Sequence, residues 1–321
     1  MEVEIDITRN ISDQFFDFMG HLPREDGFTI LPELGTNEAQ IKYVYLPGEL
    51  EFYHFGKTQF KEAISMRTIN PADTDWFLIH INLSNIPQQK EVDGEMLAFH
   101  KDLPIGLLLY GPQLEIRTQF PIGVDIEVAS IRFNTRFLEA YFGKAKDVID
   151  LRRNLLCEDL DLGMEKIFMA ALHSMDDKIR CHALLLKFLN GFFSKISKHE
   201  KNLTGETIHA EDLKNILEVS SYLRDPLVVE TPKVAELAEM AHMGLTKFKA
   251  LFKKVFGQAP MEYRNRIRME YAQRMLEMKR RNPGELSYEL GYSHPSNFTT
   301  AYKKHFGHLP SEALQNSDYS Q

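Results

Sequence analysis

The amino-acid sequence predicts an α+β chain: an N-terminal β-barrel or sandwich with helices after it, then an all-α C-terminal part. Three observations carry this. Short β-rich runs follow one another between residues 41 and 133. The apolar period turns helical after Phe133. Near the C-terminus, one pattern of two short helices occurs twice. A length of 321 residues favours two domains, placed at 1–200 and 210–315.

Residues 1–40 are mixed, with one helix-like stretch, ISDQFFDFMG. The strand-like runs are IKYVYL, ELEFYHF, EAISMRTI, WFLIHINL, GLLLYG, LEIRTQF and DIEVASIRF. Pro, Gly, Asn and Asp punctuate them, and no intervening segment has the length of a crossover helix, so a sandwich or barrel is preferred to a parallel sheet. Next comes RFLEAYFG, which the pattern ends at Gly143. LGMEKIFMAALHSM lines up Met164, Ile167, Phe168, Ala171 and Leu172. RCHALLLKFLNGFFSKISK lines up Leu184, Leu185, Phe188, Leu189, Phe192 and Phe193, a stripe broad enough to require burial. It can pack on the strands, on its neighbour helix or on a second copy of the chain. KHEKNLTGETIHAED, residues 198–212, has no apolar period and reads as the linker.

Cys157 and Cys181 are too few for a disulfide framework and fit a reducing compartment. The acidic start MEVEIDITRN has no signal-peptide core, and LPIGLLLYGPQL is too short and too broken for a membrane helix. The expected location is therefore cytoplasmic, with no membrane partner. The net charge of −8 hides an asymmetry. Residues 226–316 hold 14 Lys+Arg against 9 Asp+Glu, whereas residues 1–225 hold 24 against 36. The basic part is the candidate for phosphate, although such an excess also suits an ordinary solvated surface.

Within TPKVAELAEMAHMGLTKFKALFKKVFG, Thr231-Pro232 reads as a helix entry, and Val234, Leu237, Ala238 and Ala241 form a stripe. Gly244 is the residue expected to close the turn in a left-handed conformation, and Thr246 is the expected cap of the next helix. That helix has Phe248, Leu251, Phe252 and Val255 or Phe256 inward and ends at Gly257. Two short helices around a tight turn make a helix-turn-helix pattern, whose second helix fits the DNA major groove. PGELSYELGYSHPSNFTTAYKKHFG repeats it, with a turn at Gly291 and with Phe298, Ala301, Tyr302 and His305 or Phe306 inward. KFKALFKKVFG and NFTTAYKKHFG superpose without a gap. The connector's stripe is Tyr263, Ile267, Tyr271, Met275 and Leu276, and Arg264, Arg266, Arg268, Arg274, Lys279, Arg280 and Arg281 make it basic. About 18 helical residues span ~27 Å. With the helix widths added, that brings the second helices near the ~34 Å repeat of one DNA turn.

Residues 209–315 resemble the AraC/XylS family of transcription regulators through LAEMAHMGLTKFKALFKKVFGQAPMEYRNRIRMEYAQRML and GYSHPSNFTTAYKKHFGHLPSEAL. The matching details are Gly291-Tyr292, the FKK·FG ending with Tyr302 in its second copy, and Pro260 and Pro310. The resemblance implies base contacts from Thr246, Lys249 and Ala250 and from Ser296, Thr299 and Thr300, with Pro295 just before. It implies phosphate contacts from Lys253, Lys254, Lys303 and Lys304. Departures are Pro283-Gly284 in place of a β-branched residue and Ser287 in place of Ala, which weaken the second unit's first helix. The resemblance also implies a cupin-like N-terminal barrel, a homodimer, double-stranded DNA as partner, a small-molecule effector and, for an activator, RNA polymerase. Tyr43, Tyr45, Tyr53, His54, Trp76 and His80 are the candidate pocket residues, against the plainer reading of aromatic core.

No cofactor or metal is implied. A cupin-type barrel enzyme with an accessory DNA-binding domain is the alternative from another class. The chain lacks the HxH, HExxH, CxxC, GxSxG, P-loop and GxGxxG patterns that such chemistry would favour. His54, His80 and His100 are isolated in the sequence. A third reading is a partner-controlled regulator whose barrel serves assembly only.

Overall fold

The computed structural model describes the 321-residue chain apart from residues 25, 36–39, 47–48, 85, 87, 93–94, 100–106, 152–154, 159, 161, 200–207, 224, 228–229, 231, 278 and 316–321. For 22, 24, 95, 97–99, 144–151, 155–158, 162, 196–199, 210, 213, 217 and 221 it describes the backbone only. His100, Thr231 and most of the expected linker therefore lie outside the described residues. The chain divides into two compact units, Met1–Lys214 and Asn215–Gln321.

The N-terminal unit holds two sheets. One has the strand order β1 (Glu2–Asp6), β6 (Ile64–Asn70), β11 (Leu114–Phe120), β8 (Gln88–Val92), β9 (Glu95–Phe99). The other runs β13 (Leu155–Glu158), β10 (Leu107–Tyr110), β7 (Trp76–Asn82), β12 (Asp125–Asn134), β5 (Leu50–Gln59), β4 (Gln40–Leu46), β3 (Gly27–Ile30), β2 (Gly20–Arg24). β1 pairs parallel with β6, and the other described pairings are antiparallel. All seven expected runs are strands. The sequence reading missed β1, β2, β3, β8, β9 and β13. β8 reads QQKEV, and its inward positions are Gln88 and Lys90, each 1% exposed, and Val92 at 3%. Polar residues at two of the three inward positions erase the alternation that reveals a strand.

Period-two alternation gives the eight-stranded sheet two different faces. Phe52, Ile79, Ile81, Ala129, Ile131 and Phe133 form one core with Phe168, Leu185, Phe188 and Phe192 of α3 (Leu162–Leu172) and α4 (Lys178–His199). Phe168 is the hinge of that core, with ring centroids 5.9 Å from Phe52 and 5.1 Å from Phe188. The broad stripe of α4 is thus spent within the chain. Leu184 and Ile167 are only half-buried. α2 (Thr135–Leu151) runs past Gly143, with its irregularity at Phe142 (φ −141°, ψ 44°). On the opposite face, Tyr53, Phe55, His80 and Val128 meet Met66 and Phe120 of the five-stranded sheet.

A buried charged pair ties the N-terminal segment to this framework. Glu51 on β5 accepts from the backbone N–H of Ile11 (2.9 Å) and Ser12 (2.8 Å), the first residues of α1 (Ile11–Met19). A carboxylate there satisfies orphan donors and complements the helix dipole. Arg132 on β12 donates to the carbonyls of Ile7 and Thr8, and its guanidinium lies 3.4 Å from the centroid of the Trp76 ring.

The interior also holds Lys90, whose ammonium donates to Thr118 Oγ1 at 2.8 Å and which burial pushes down to about 7. Burial first, and the Lys90 charge second, push His80 well below the usual histidine range. Unfolded lysine titrates near ~10.4. Between that value and about 7 the unfolded chain binds the proton that folded Lys90 releases, so stability rises with pH across this window. Lys90→Met is expected to raise stability at pH 7 and to flatten that rise. Urea unfolding followed by the emission of Trp76, the single tryptophan, measures both. A lower midpoint in the variant at pH 7 contradicts the assignment.

Candidate nucleic-acid interface

The C-terminal unit is a chain of short helices around two aromatic cores. α5 (Ala210–Ser220) and a 3-10 turn, Ser221–Leu223, lead into it. The first pair is α6 (Val234–Met240) and α7 (Leu245–Phe256), the connector is α8 (Pro260–Glu277), and the second pair is α9 (Pro283–Glu289) and α10 (Pro295–Phe306). α11 (Pro310–Gln315) packs back on α8.

The two pairs repeat each other down to single hydrogen bonds. Phe248, Phe252 and Phe256 stack along α7 with centroids 5.6 and 4.5 Å apart. Phe298, Tyr302 and Phe306 do so along α10 at 5.7 and 4.8 Å. Spacing of four puts all three rings of each set on one face. Gly257 (φ 71°) and Gly307 (φ 81°) end the helices in the left-handed region, each N–H donating over 2.8 Å, to Lys253 and Lys303 respectively. The N–H groups of Ala259 and Leu309 donate to Glu262 (3.0 Å) and Glu312 (2.7 Å), so each Pro-led helix that follows is started in the same way. In the turns, Met243 N–H donates to the Ala238 carbonyl and Tyr292 N–H to that of Ser287, both at 2.9 Å.

Several local expectations need correction. Gly244 is not left-handed. It is the N-cap of α7 at φ −64°, and the left-handed residue of the first turn is His242 (φ 54°), the counterpart of Gly291 (φ 66°). Thr246 consequently is the second residue of α7, within its first turn, and does not cap it. α6 starts at Val234, with Lys233 N–H donating to Glu236 at 2.8 Å. α9 is not poorly started: Asn282 and Glu285 form a reciprocal capping box (2.8 and 3.0 Å) before Pro283. Its departure is inside, where Ser287 is fully buried and its hydroxyl finds no hydrogen-bond partner among the described residues. His305 is exposed, and Ala301 and Phe306 are half-buried.

The faces opposite the rings are open. Thr246, Lys249, Ala250, Lys253, Ser296, Thr300, Lys303 and Lys304 are exposed, and Lys254 and Thr299 are half-buried. The Thr299 and Thr300 hydroxyls donate to the carbonyls of Pro295 (3.0 Å) and Ser296 (2.8 Å). Their protons are engaged, which leaves oxygen lone pairs and methyl groups facing outward.

The connector differs from its expected stripe. Tyr263 and Leu276 are buried, but Ile267, Tyr271 and Met275 are only half-buried. Met269, Ala272 and Gln273 complete the inner face, with Gln273 accepting from the Tyr302 hydroxyl. Arg264 and Arg268 are buried as well, 5% and 9% exposed, so they do not belong to a solvated basic surface.

A family model described as a helix-turn-helix domain matches residues 237–316. The C-terminal unit is an AraC-type helix-turn-helix domain. Relatives include the HTH-type transcriptional regulator ExsA of Pseudomonas aeruginosa, 34% identical over 27% of this chain and 31% of its own. The virulence regulon transcriptional activator VirF of Yersinia enterocolitica is 36% identical over 25% of this chain and 30% of its own. The chain thus matches about a third of the length of these relatives. Among solved structures, ToxT of Vibrio cholerae bound to an unsaturated fatty acid covers 83% of this chain and 95% of its own, at 15% identity and TM-score 0.35.

Of the six candidate pocket residues in the N-terminal unit, Tyr53 and His80 line one cavity between the sheets, of about 20 Å³ at the radius of a water molecule. The other four are placed elsewhere. Tyr45 bonds to the Ser12 hydroxyl, and Tyr43 stacks beside Tyr45. His54 Nε2 pairs with Glu127 at 2.9 Å, and Trp76 lies under Arg132. The sequence reading missed Gln88, which bonds His80 at 2.9 Å, and Lys90. Their polarity made their strand invisible.

The turn geometry of the AraC-type domain predicts opposite effects at two positions. Gly307→Ala forces a side chain into the left-handed region and is expected to cost about 1 kcal/mol. His242→Gly relieves that strain and is expected to stabilise by less than ~1 kcal/mol. Thermal unfolding followed by far-ultraviolet circular dichroism reads both, and equal signs would refute the strain account.

Proposed function

We propose that this chain is a sequence-specific DNA-binding transcription regulator controlled by a small-molecule effector. The observation that carries the reading is the pair of matching helices, α7 and α10, each backed by three stacked rings and open on the other side. A helix so backed has the width of the major groove and keeps most of its outer face exposed.

In this reading Thr246, Lys249 and Ala250 meet base edges from α7, with Ala250 offering only apolar contact, as to a thymine methyl. Ser296, Thr299 and Thr300 do so from α10. Because the two threonine protons are engaged within the helix, Thr299 and Thr300 read DNA as acceptors and methyl groups, which favours adenine N6 or cytosine N4 donors and thymine methyls. Lys253, Lys254, Lys303 and Lys304 neutralise phosphates. The first unit, with Lys249, carries the stronger polar readout.

The N-terminal unit is the effector domain, a cupin-like barrel in the proposal, with Tyr53 and His80 at the ligand. The described cavity holds about one water, so an effector displaces side chains such as Phe15 on entry. Effector binding changes DNA affinity to the extent that the ligand favours one state. A homodimer, activation through RNA polymerase and a cytoplasmic location belong to the same proposal. No helix among the described residues is long and apolar enough to cross a membrane. The regulator names of the matched relatives favour this reading over a barrel enzyme.

A mobility-shift assay on the DNA upstream of the chain's own gene tests it. Lys249→Ala is expected to weaken the specific complex by about 1–3 kcal/mol and to relax preference at one position. Lys253→Ala should weaken all complexes alike and lower the salt slope by about 1. Specific binding unaffected by Lys249→Ala would remove α7 from the groove.

A further inference from the structure

Lys90 of β8 is 1% exposed, and one of its donors is used, toward Thr118 Oγ1 at 2.8 Å. An ammonium has three. Gln88, two residues earlier on the same inward face, is as deeply buried. Its Oε1 bonds His80 Nε2 at 2.9 Å, and its Nε2 has no hydrogen-bond partner among the described residues. The titratable group that faces Lys90 among those residues is His80 on β7, held well below the usual histidine range by burial and then by the Lys90 charge. No carboxylate among them supports Lys90, whose pKa is set by burial. Buried donors without acceptors are costly, and here two such groups share one face of one strand.

Both stand beside the apolar cavity between the sheets. Thr118 is in register with Lys90 on one side and with Met66 on the other, and Met66, Phe120 and His80 line the cavity. Phe15 and Met19 of α1 line it too, whereas Tyr53 and Phe55 belong to the second sheet. α1 takes part in no strand pairing, so it is the wall that yields without opening a sheet. A ligand entering beneath it meets apolar side chains, with the donors next to His80 as polar partners. The chemistry narrows that ligand. His80 Nδ1 and the Tyr53 hydroxyl are both engaged by Ser130, so a ligand rich in hydroxyls finds these partners taken. An anion finds the Lys90 ammonium and Gln88 Nε2 open. One lysine balances one negative charge, so a monoanion suits the site better than a phosphate monoester, which carries more than one.

We propose that the N-terminal unit takes an apolar monocarboxylic acid as its effector, with the carboxylate held by Lys90 and Gln88 and the hydrocarbon body in the cavity beneath α1. The assignment rests on the effector reading above and names its ligand class.

The test is isothermal titration calorimetry of the full-length chain with octanoate and with octanol, for wild type, Lys90→Met and Gln88→Glu. Wild type is expected to prefer octanoate. Lys90→Met should weaken octanoate binding about ten- to a hundredfold, as for a lost charge-assisted hydrogen bond, and leave octanol binding unchanged or tighter. Gln88→Glu keeps an acceptor for His80 and sets a carboxylate beside the ammonium, so it too should lose octanoate. A paired carboxylate holds a proton on Lys90, which burial otherwise brings down to about 7. Each octanoate bound at pH 8 should therefore bring uptake of about 0.9 proton in wild type, and octanol none. The heats in two buffers of different ionisation enthalpy measure this uptake. Equal octanoate affinity in wild type and Lys90→Met overturns the assignment, as does octanoate binding without proton uptake. Octanol bound by wild type as tightly as octanoate fails this assignment alone, whereas neither compound bound fails the pocket reading of Tyr53 and His80 and the assignment with it.

Discussion

Stacking of three rings at every fourth position of α7 and α10 is the interaction on which the rest of the C-terminal unit depends. Phe252 and Tyr302 sit at the centre of each ladder, fully buried, and each also meets the connector: Phe252 through the Tyr263 ring at 5.4 Å, Tyr302 through Gln273. One face of each helix is thereby consumed. The other is left to lysines, threonines and one alanine, most of them exposed. Both ladders are anchored to the same 18-residue helix, α8, so any distortion of the connector is felt by both groove-sized faces.

The repeat was legible because it is carried by residue types with narrow conformational choices. Gly at a left-handed helix end, Pro at the first position of the next helix and aromatics four apart leave few alternative readings. The first turn was misread for the same physical reason. The only glycine near it, Gly244, drew the left-handed assignment, but the hydrogen bond from Met243 to Ala238 places the turn two residues earlier. His242 therefore takes the strained φ. A pattern rule that looks for glycine cannot see a position where packing overrides the local preference.

Polar residues account for most of what the sequence concealed. Arg264 and Arg268 sit among other arginines in PMEYRNRIRMEYAQRMLEMKRR, and composition reads them all as a wet basic face. Gln88 and Lys90 likewise hide β8. In both places the burial of a cation is a tertiary fact, decided by what lies across from it: Tyr292 in one case, Thr118 in the other. The aromatic candidates of the barrel show the converse. Tyr53 reaches the interior, whereas Tyr43, Tyr45 and Trp76 serve the attachment of α1 and the Arg132 site, because the face a strand residue occupies does not say how far along the sheet the interior extends.

The two helix-turn-helix units are alike in geometry but not in chemistry, and the difference bears on how the connector works. α7 presents Lys249, a cation with three free-swinging donors, beside Thr246. α10 presents two threonines whose protons are spent on their own helix. A surface of acceptors and methyls discriminates bases weakly, so α10 gains little by choosing its own position on DNA. It gains more from being delivered to a set place by the unit that reads strongly. Delivery requires a connector that does not flex, and α8 supplies it through its shared core with both ladders.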